Sequence, residues 1–288
     1  MRERFTEVVS RRMDRDDRIV LVLADIGAGG FADQLRRRPE RAVNVGIREQ
    51  LAIGVAAGFA LEGYRPVVHS YAPFLVERAF EQLKLDVAHQ GVGVIAVSVG
   101  ASFDAAAEGR THQSPADVAL VSTLPGWAVH VPGHPDEVER ILSAEFDRSG
   151  PVYVRLSERS NGFAIGGTGP TLVREGAPDR PILLAIGPML DHALAVNDGF
   201  GVVYLSQVQP FPSPAIRALV GGRDVVVLEP YLEGTTLADL TTTLAGTGAR
   251  VAAIGVPKGE LRRYGSIEDH LDAHGLTAPH LERRLSFL

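Results

Sequence analysis

The feature that most constrains this 288-residue chain is a helix that is almost wholly apolar and small but opens on an acid. Glycine and alanine hold four of the five positions from 54 to 58. Such a helix is thin enough for another backbone or a flat ligand to approach closely, and it is normally buried. Glu49 stands in its first turn. A buried carboxylate needs a partner, so Glu49 either satisfies first-turn N–H groups and the helix dipole or serves a ligand.

Short apolar runs alternate with helical patterns along the chain, which is typical of parallel α/β construction. The first half predicts strands at 18–24, 41–45, 66–70, 93–99, 128–131 and 152–156, and helices at 49–61, 75–89, 115–122 and 135–146. The second half predicts strands at 181–186, 201–205, 224–229 and 250–254. A glycine- and proline-rich run at 161–170 separates the halves. We therefore predict two α/β domains, 1–162 and 180–288, each a mainly parallel sheet flanked by helices, with a linker at 163–179.

The composition excludes several classes of protein. The chain has no cysteine, which rules out disulfides and thiolate metal sites. A formal charge of −6 argues against a nucleic-acid surface. The N-terminus lacks a signal-peptide apolar stretch and no apolar run is long enough for a membrane span, so a cytoplasmic location is expected.

One loop matches a dinucleotide-binding pattern. The run Gly27–Ala32 fits G-x-G-x-x-A after a predicted strand, and Glu49 lies about 20 residues on, where an acid would hold a ribose. However, the helix after these glycines has little room before Pro39, and Glu49 opens a helix instead of ending a strand. A simple glycine-rich loop at the carboxyl edge of a sheet is the preferred interpretation.

Three motifs follow one another in a specific order. They are Gly46–Gln50 with its Gly/Ala helix, Pro66–Gln82 and Glu108–Gln113, and the strand at 150–156 closes the series. This order resembles the pyrimidine-binding domain of the transketolase family of thiamine diphosphate enzymes. The whole chain resembles the C-terminal half of a transketolase, which consists of the pyrimidine-binding domain and the transketolase C-terminal domain.

The resemblance implies a role for each residue near the cofactor. Glu49 would share a proton with ring nitrogen N1′, so that the 4′-amino group of thiamine diphosphate can take the C2 proton. Tyr71 and Phe74 would form the flat wall for the pyrimidine. Ile47 and Asp25 are further expected cofactor contacts.

The resemblance also assigns the substrate side. His112 would face the reacting carbonyl and the sugar hydroxyls as a second catalytic residue. Glu108 stands where the family has an aspartate, one methylene shorter. Arg155 and Arg159 flank the strand end near the far end of the substrate, where a guanidinium suits phosphate or carboxylate.

Two glycines depart from the family pattern. Gly29 and Gly100 fall where transketolases have polar contacts to the sugar phosphate, while Arg2 matches a third, phosphate-binding position. We therefore expect xylulose 5-phosphate to be used less well than by an ordinary transketolase, with an atypical substrate on at least one side.

A missing motif implies a partner. The family binds the diphosphate and Mg²⁺ through a separate domain with a Gly-Asp-Gly motif, which this sequence lacks. Asn197-Asp198-Gly199 is no substitute, because it lies between short elements of the second domain. The resemblance thus implies no metal ligands here, an N-terminal subunit that carries Gly-Asp-Gly, and a heterotetramer with two of each chain.

Several functions remain open. The first is the C-terminal subunit of a split transketolase that transfers a two-carbon ketol group between sugars or sugar-like molecules. Alternatives are a 1-deoxyxylulose-phosphate-synthase-like carboligase that takes pyruvate, and a 2-oxo-acid-dehydrogenase-like β subunit that passes an acyl group to a carrier. A non-catalytic partner subunit is a further class, against which the joint presence of Glu49, Phe74 and His112 argues.

Overall fold

The computed structural model describes residues 1–167, 169–196, 199–260 and 262–286. Asn197 and Asp198, from the Asn-Asp-Gly run considered above, lie outside these ranges. Within them, no helix has both the length and the apolar character needed to cross a bilayer.

Strands in the described residues form two sheets. In chain order the strands are β1 (Ile19–Leu23), β2 (Ala42–Asn44), β3 (Arg65–Tyr71), β4 (Ile95–Val99), β5 (Ala128–His130), β6 (Val152–Arg155), β7 (Thr171–Arg174), β8 (Ile182–Ile186), β9 (Gly201–Leu205), β10 (Gln207–Gln209), β11 (Val225–Leu232) and β12 (Val251–Val256). The first sheet has the order β10-β5-β6-β4-β3-β1-β2 and is parallel except for β10. The second has the order β12-β11-β8-β9-β7 and is parallel except for β7.

Helices cover both faces of the sheets. They are α1 (Arg2–Met13), α2 (Ala32–Arg37), α3 (Glu49–Leu61), α4 (Phe80–Gln82), α5 (Asp117–Ser122), α6 (Pro135–Glu145), α7 (Leu190–Ala195), α8 (Ser213–Val220), α9 (Leu237–Leu244), α10 (Ile267–Ala273) and α11 (Ala278–Leu285). Two π-helical segments, Pro73–Arg78 and Leu83–His89, flank α4, and two 3₁₀ turns lie at Gly109–His112 and Gly187–Met189.

Strand β1 shows how the layers form. Its side chains alternate between the two faces of the sheet, as the period of a strand requires. Val20 and Val22 pack in the layer that contains α3, while Ile19, Leu21 and Leu23 pack in the layer that contains α1. Because both faces are covered, this strand is continuously apolar, as is usual for parallel sheets.

The predicted fold class is confirmed, and each predicted strand is present. The structure adds the helices α1 and α2, and it divides the predicted helix 75–89 into α4 and the two π-helical segments beside it. It also adds two strands. Thr171–Arg174 form a strand within the predicted linker 163–179, and Gln207–Gln209 form a strand that joins the first sheet although they belong to the second half. Both segments are short and partly exposed, so neither has the apolar run on which strand prediction depends. The domain boundaries at 162 and 180 stay a prediction.

The parallel arrangement positions the candidate site. Strands β1, β3, β4 and β6 all run in one direction, so their carboxyl ends meet at one edge of the sheet. In open α/β sheets ligands bind at this edge. The residues at or just after these strand ends, Asp25, Tyr71, Gly100 and Ser157, are therefore brought to the same region.

Glu229 of β11 gives the second half a pH-dependent stability. Its side chain is fully buried and accepts hydrogen bonds from the backbone N–H groups of Gly234 and Thr236 at 2.5 and 2.6 Å. Desolvation raises the pKa of this carboxyl from 4.5 to about 7, although those hydrogen bonds lower it. The folded state therefore holds the proton more tightly than the unfolded chain, and this stabilisation, present below pH 4.5, is lost as the pH rises through 7.

We expect Glu229→Gln to remove this part of the pH dependence. The wild-type free energy of unfolding should fall, relative to the variant, by roughly 3 kcal/mol between pH 4.5 and 7.5. Urea titrations across this range measure the difference, with the exposed Asp179→Asn as control. Parallel curves for wild type and Glu229→Gln would contradict the assignment.

Candidate functional site

Glu49 is a buried acid at the start of α3. Its side chain is 1% exposed. The residue is the first of the helix and directly follows Arg48. One carboxylate oxygen accepts from the Ser70 hydroxyl at 3.3 Å, and the other accepts from the Arg78 guanidinium at 2.8 Å. The requirement for a partner, evident from the sequence, is thus met by a hydroxyl and a cation.

Sequence reasoning missed Arg78. Its guanidinium carbon lies 4.2 Å from the centre of the Phe74 ring while its nitrogen contacts Glu49, so one planar cation touches both. The side chain is 39% exposed, which leaves it free to reach solvent. The available signal was its position four residues after Phe74, which places the two side chains on one helical face.

Three rings lie beside this pair. The ring centroids of Tyr71, Phe74 and His112 are 5.1 to 6.2 Å apart, in edge-to-face arrangements. The Thr111 hydroxyl lies 2.9 Å from Nδ1 of His112, which orients the imidazole. The structure therefore brings together the two predicted wall residues and the predicted loop histidine.

The two glycines that the resemblance sets at polar positions of the family differ in their surroundings. Gly100 has φ +70°, and a Cβ there would come within 2.2 Å of the Tyr71 ring. Glycine at 100 is thus required for the close packing of Tyr71, which the sequence did not indicate. A Cβ at Gly29 would meet no atom within 4 Å.

Asp25 and Ile47 lie in adjoining loops. The backbone N–H groups of Asp25 and Gly46 both donate to the side-chain oxygen of Asn44, at 2.9 and 3.0 Å, which ties the two loops together. Asp25 has a left-handed backbone, with φ 67°, and is exposed. Ile47 is 72% exposed. Their predicted contact with the cofactor stays a prediction.

Of the two predicted substrate arginines, Arg155 is buried in the protein and Arg159 is paired at its surface. Arg155 is 1% exposed, and it donates to Asp117 at 2.7 Å and to the Ser102 hydroxyl at 2.6 Å. These two residues therefore hold its guanidinium inside the protein, where it is not presented to a substrate. Arg159 donates to Glu268 of α10 at 2.8 Å. The sequence could not distinguish these positions, because the partners of both arginines lie far away along the chain.

A cleft of about 300 Å³ opens beside Tyr71 and Glu108. Its wall includes Asp104, which sequence reasoning also missed because it lies in an alanine-rich run without any recognisable pattern. Asp104 accepts hydrogen bonds from the Ser157 hydroxyl and the Glu158 backbone N–H, at 3.2 and 2.9 Å. Desolvation raises the pKa of this carboxyl to about 6, against the opposing effect of that N–H.

The second half of the chain covers the loop that carries His112. Tyr264 packs so closely on Gly109 that a Cβ there would lie 2.6 Å from its ring. Gln113 lies 3.4 Å from His270, and Arg110 lies 3.3 Å from Glu260. Within the described ranges, no group of three or more His, Cys, Asp or Glu side chains could hold a metal ion.

With this geometry in place, three comparisons identify relatives. Residues 1–162 match the family model "Transketolase, pyrimidine binding domain". The chain is 41% identical over 293 residues to an uncharacterized 33.6 kDa protein in the fasciation locus of Rhodococcoides fascians, covering 99% of this chain and 93% of that one. It is 31% identical to the 6-deoxy-6-sulfo-D-fructose transketolase subunit SqwH of Clostridium sp. (strain MSTE9), over 75% of this chain and 71% of that one.

Further similarity extends to longer proteins. The chain is 32% identical to 1-deoxy-D-xylulose-5-phosphate synthase 2 of Geobacter sulfurreducens, over 94% of its own length but only 47% of that protein. Among solved structures, a chain described as "Split gene transketolase, inactive beta4 tetramer" superposes with a TM-score of 0.80 at 24% identity, covering 99% of this chain and 96% of that one. This structural likeness supports the fold.

Proposed function

Because the chain belongs to the transketolase family, we propose that it is the pyrimidine-binding subunit of a two-component, thiamine diphosphate-dependent transketolase. The reaction would be transfer of a two-carbon ketol group between sugars or sugar-like molecules. The curated relative of similar extent that carries a function is named as a subunit, which supports a second chain. That second chain would carry the Gly-Asp-Gly motif and the Mg²⁺ ligands.

One observation carries the proposal: a single guanidinium contacts both the buried Glu49 and the Phe74 ring. A stacking face and a buried acceptor therefore lie within the reach of one planar, N–H-bearing group. These are the two contacts that an aminopyrimidine ring needs. The residues present thus fit the cofactor that the family implies.

Each side chain then has a distinct task. Thiamine diphosphate, when bound, supplies the acidic C2–H that becomes the nucleophile. Glu49 would hold the proton at N1′, and Phe74 and Tyr71 would orient the ring. His112, positioned by Thr111, would donate a hydrogen bond to a substrate oxygen or shuttle its proton. The apolar surroundings of Glu49 would keep water from competing for its carboxylate.

A second candidate has a specific observation in its favour. The similarity to a 1-deoxy-D-xylulose-5-phosphate synthase over 94% of this chain favours a carboligase that takes pyruvate. The two reactions differ in their donor. The carboligase takes pyruvate and releases CO₂, whereas a transketolase takes a ketose and releases no CO₂.

We expect the reconstituted two-subunit complex to release an aldose from a ketose donor and to leave pyruvate intact. Product analysis with ¹³C-labelled ketose and ¹³C-labelled pyruvate, each with a panel of aldehyde acceptors, measures this. Release of labelled CO₂ from pyruvate at a rate that matches or exceeds ketose use would replace the transketolase proposal with the carboligase.

A further inference from the structure

Carboxylates dominate the cleft beside Tyr71. Four of them line it, at Glu3, Asp104, Glu108 and Glu158. Arg2 also lines it and brings a side-chain cation. An anion entering this space would meet more negative than positive side-chain charge.

The end of β6 and the residues that follow it contribute one acid to the cleft, while their two arginines contact other parts of the protein. Glu158 lines the cleft, whereas the next residue, Arg159, pairs with Glu268 of α10. Arg155 donates hydrogen bonds to Asp117 and to the Ser102 hydroxyl inside the protein. Arg155 and Arg159 therefore do not line this cleft, whereas Arg2, which the resemblance also set at a phosphate-binding position, does.

Asp104 is held as a hydrogen-bond acceptor. The Ser157 hydroxyl donates to one of its oxygens and the Glu158 backbone N–H to the other. Because a carboxylate has about four acceptor sites, lone pairs remain for a ligand. Hydroxyl groups can donate to them, whereas a phosphate offers only further acceptors and charge.

We propose that this acidic cleft takes the uncharged, hydroxyl-bearing end of an unphosphorylated sugar and rejects a phosphate at that position. The inference rests on the transketolase proposal, because it assigns the substrate class of the same site. Glu158 and Asp104 are the specificity-determining residues. Gly100 contributes by letting the Tyr71 ring pack against the backbone at the cleft wall, where a side chain would not fit.

The test compares kcat/KM for xylulose and xylulose 5-phosphate in the reconstituted complex. The wild type should favour the unphosphorylated donor by about 10-fold or more, and Glu158→Arg should shift the ratio about 100-fold toward the phosphorylated donor. Glu158→Gln should shift it in the same direction by a smaller factor. Asp179→Arg makes the same charge change outside the cleft lining and should leave the ratio unchanged. A wild-type preference for the phosphorylated donor, or a ratio that ignores Glu158→Arg, would overturn the inference.

A second measurement separates this inference from the function on which it rests. Inorganic phosphate titrated into the full chain alone should show no saturable binding to the wild type but should bind Glu158→Arg. If the complex transfers no ketol group, the transketolase proposal fails while this titration still reports on the cleft. Saturable phosphate binding by the wild type that Arg2→Ala weakens would refute the acidic cleft as a phosphate-excluding site.

Discussion

Replacement of Glu49 by glutamine is expected to stop turnover while the protein stays folded. Glutamine has the same shape and can still accept from Ser70, but it cannot share a proton with N1′ as a carboxyl group does. Arg78 would lose its charged partner, yet at 39% exposure it can turn to solvent. Since positioned acid–base groups contribute about 10²–10⁴-fold, we expect kcat to fall by about a thousandfold.

Hydrogen–deuterium exchange at C2 of the cofactor bound to the reconstituted complex gives the direct readout. Glu62→Gln, an exposed change at the other end of α3, should exchange like the wild type. Thermal unfolding checks that each variant is folded, and Glu49→Asp provides a second variant that keeps the acid. Exchange in Glu49→Gln at the wild-type rate would reduce Glu49 to a helix-terminal partner of Arg78.

The isolated chain should be inactive, and a Gly-Asp-Gly-bearing partner should create the activity. The sequence has no such motif, and the described residues offer no metal-binding cluster. Half of a cofactor site gives weak binding, because the diphosphate would lack its counter-charge. We expect at least a thousandfold stimulation of turnover by the partner, or about 4 kcal/mol in the usual conversion.

Calorimetry of the chain with thiamine diphosphate and Mg²⁺, before and after addition of the partner, measures this dependence. Mass determination in solution should give two of each chain. The partner with its Gly-Asp-Gly aspartate replaced by alanine is the matched control, since it can still assemble. Tight, Mg²⁺-dependent binding by this chain alone would show that the site is complete within it.

The sequence predicted the interior of the fold because the central strands are apolar on both faces. Strand β9 and helix α3 lie at the predicted residues, 201–205 and 49–61. The missed strand Gln207–Gln209 has a polar sequence, and only its pairing with β5 makes it a strand. Such elements depend on tertiary contacts that local patterns do not contain.

The candidate site was predictable where it depends on strand ends and less so where it depends on packing. Tyr71 is the last residue of β3 and Phe74 lies three residues later, so the sheet itself brings them to the site. Arg155 is the opposite case, because nothing in its local sequence reveals that it is buried and donates hydrogen bonds to Asp117 and Ser102. Asp104 had no local signal, because its partners Ser157 and Glu158 lie more than 50 residues away along the chain.

Strand β10 has a consequence for any attempt to divide the chain. It lies between β9 and α8 of the second half, yet it completes the edge of the first sheet by pairing with β5. The stretch that matches the pyrimidine-binding family model ends at residue 162 and therefore lacks this strand. A fragment cut there would expose the backbone donors and acceptors of β5, a template for pairing with other molecules. The two halves are thus interlocked, and a fragment of residues 1–162 would be prone to aggregate.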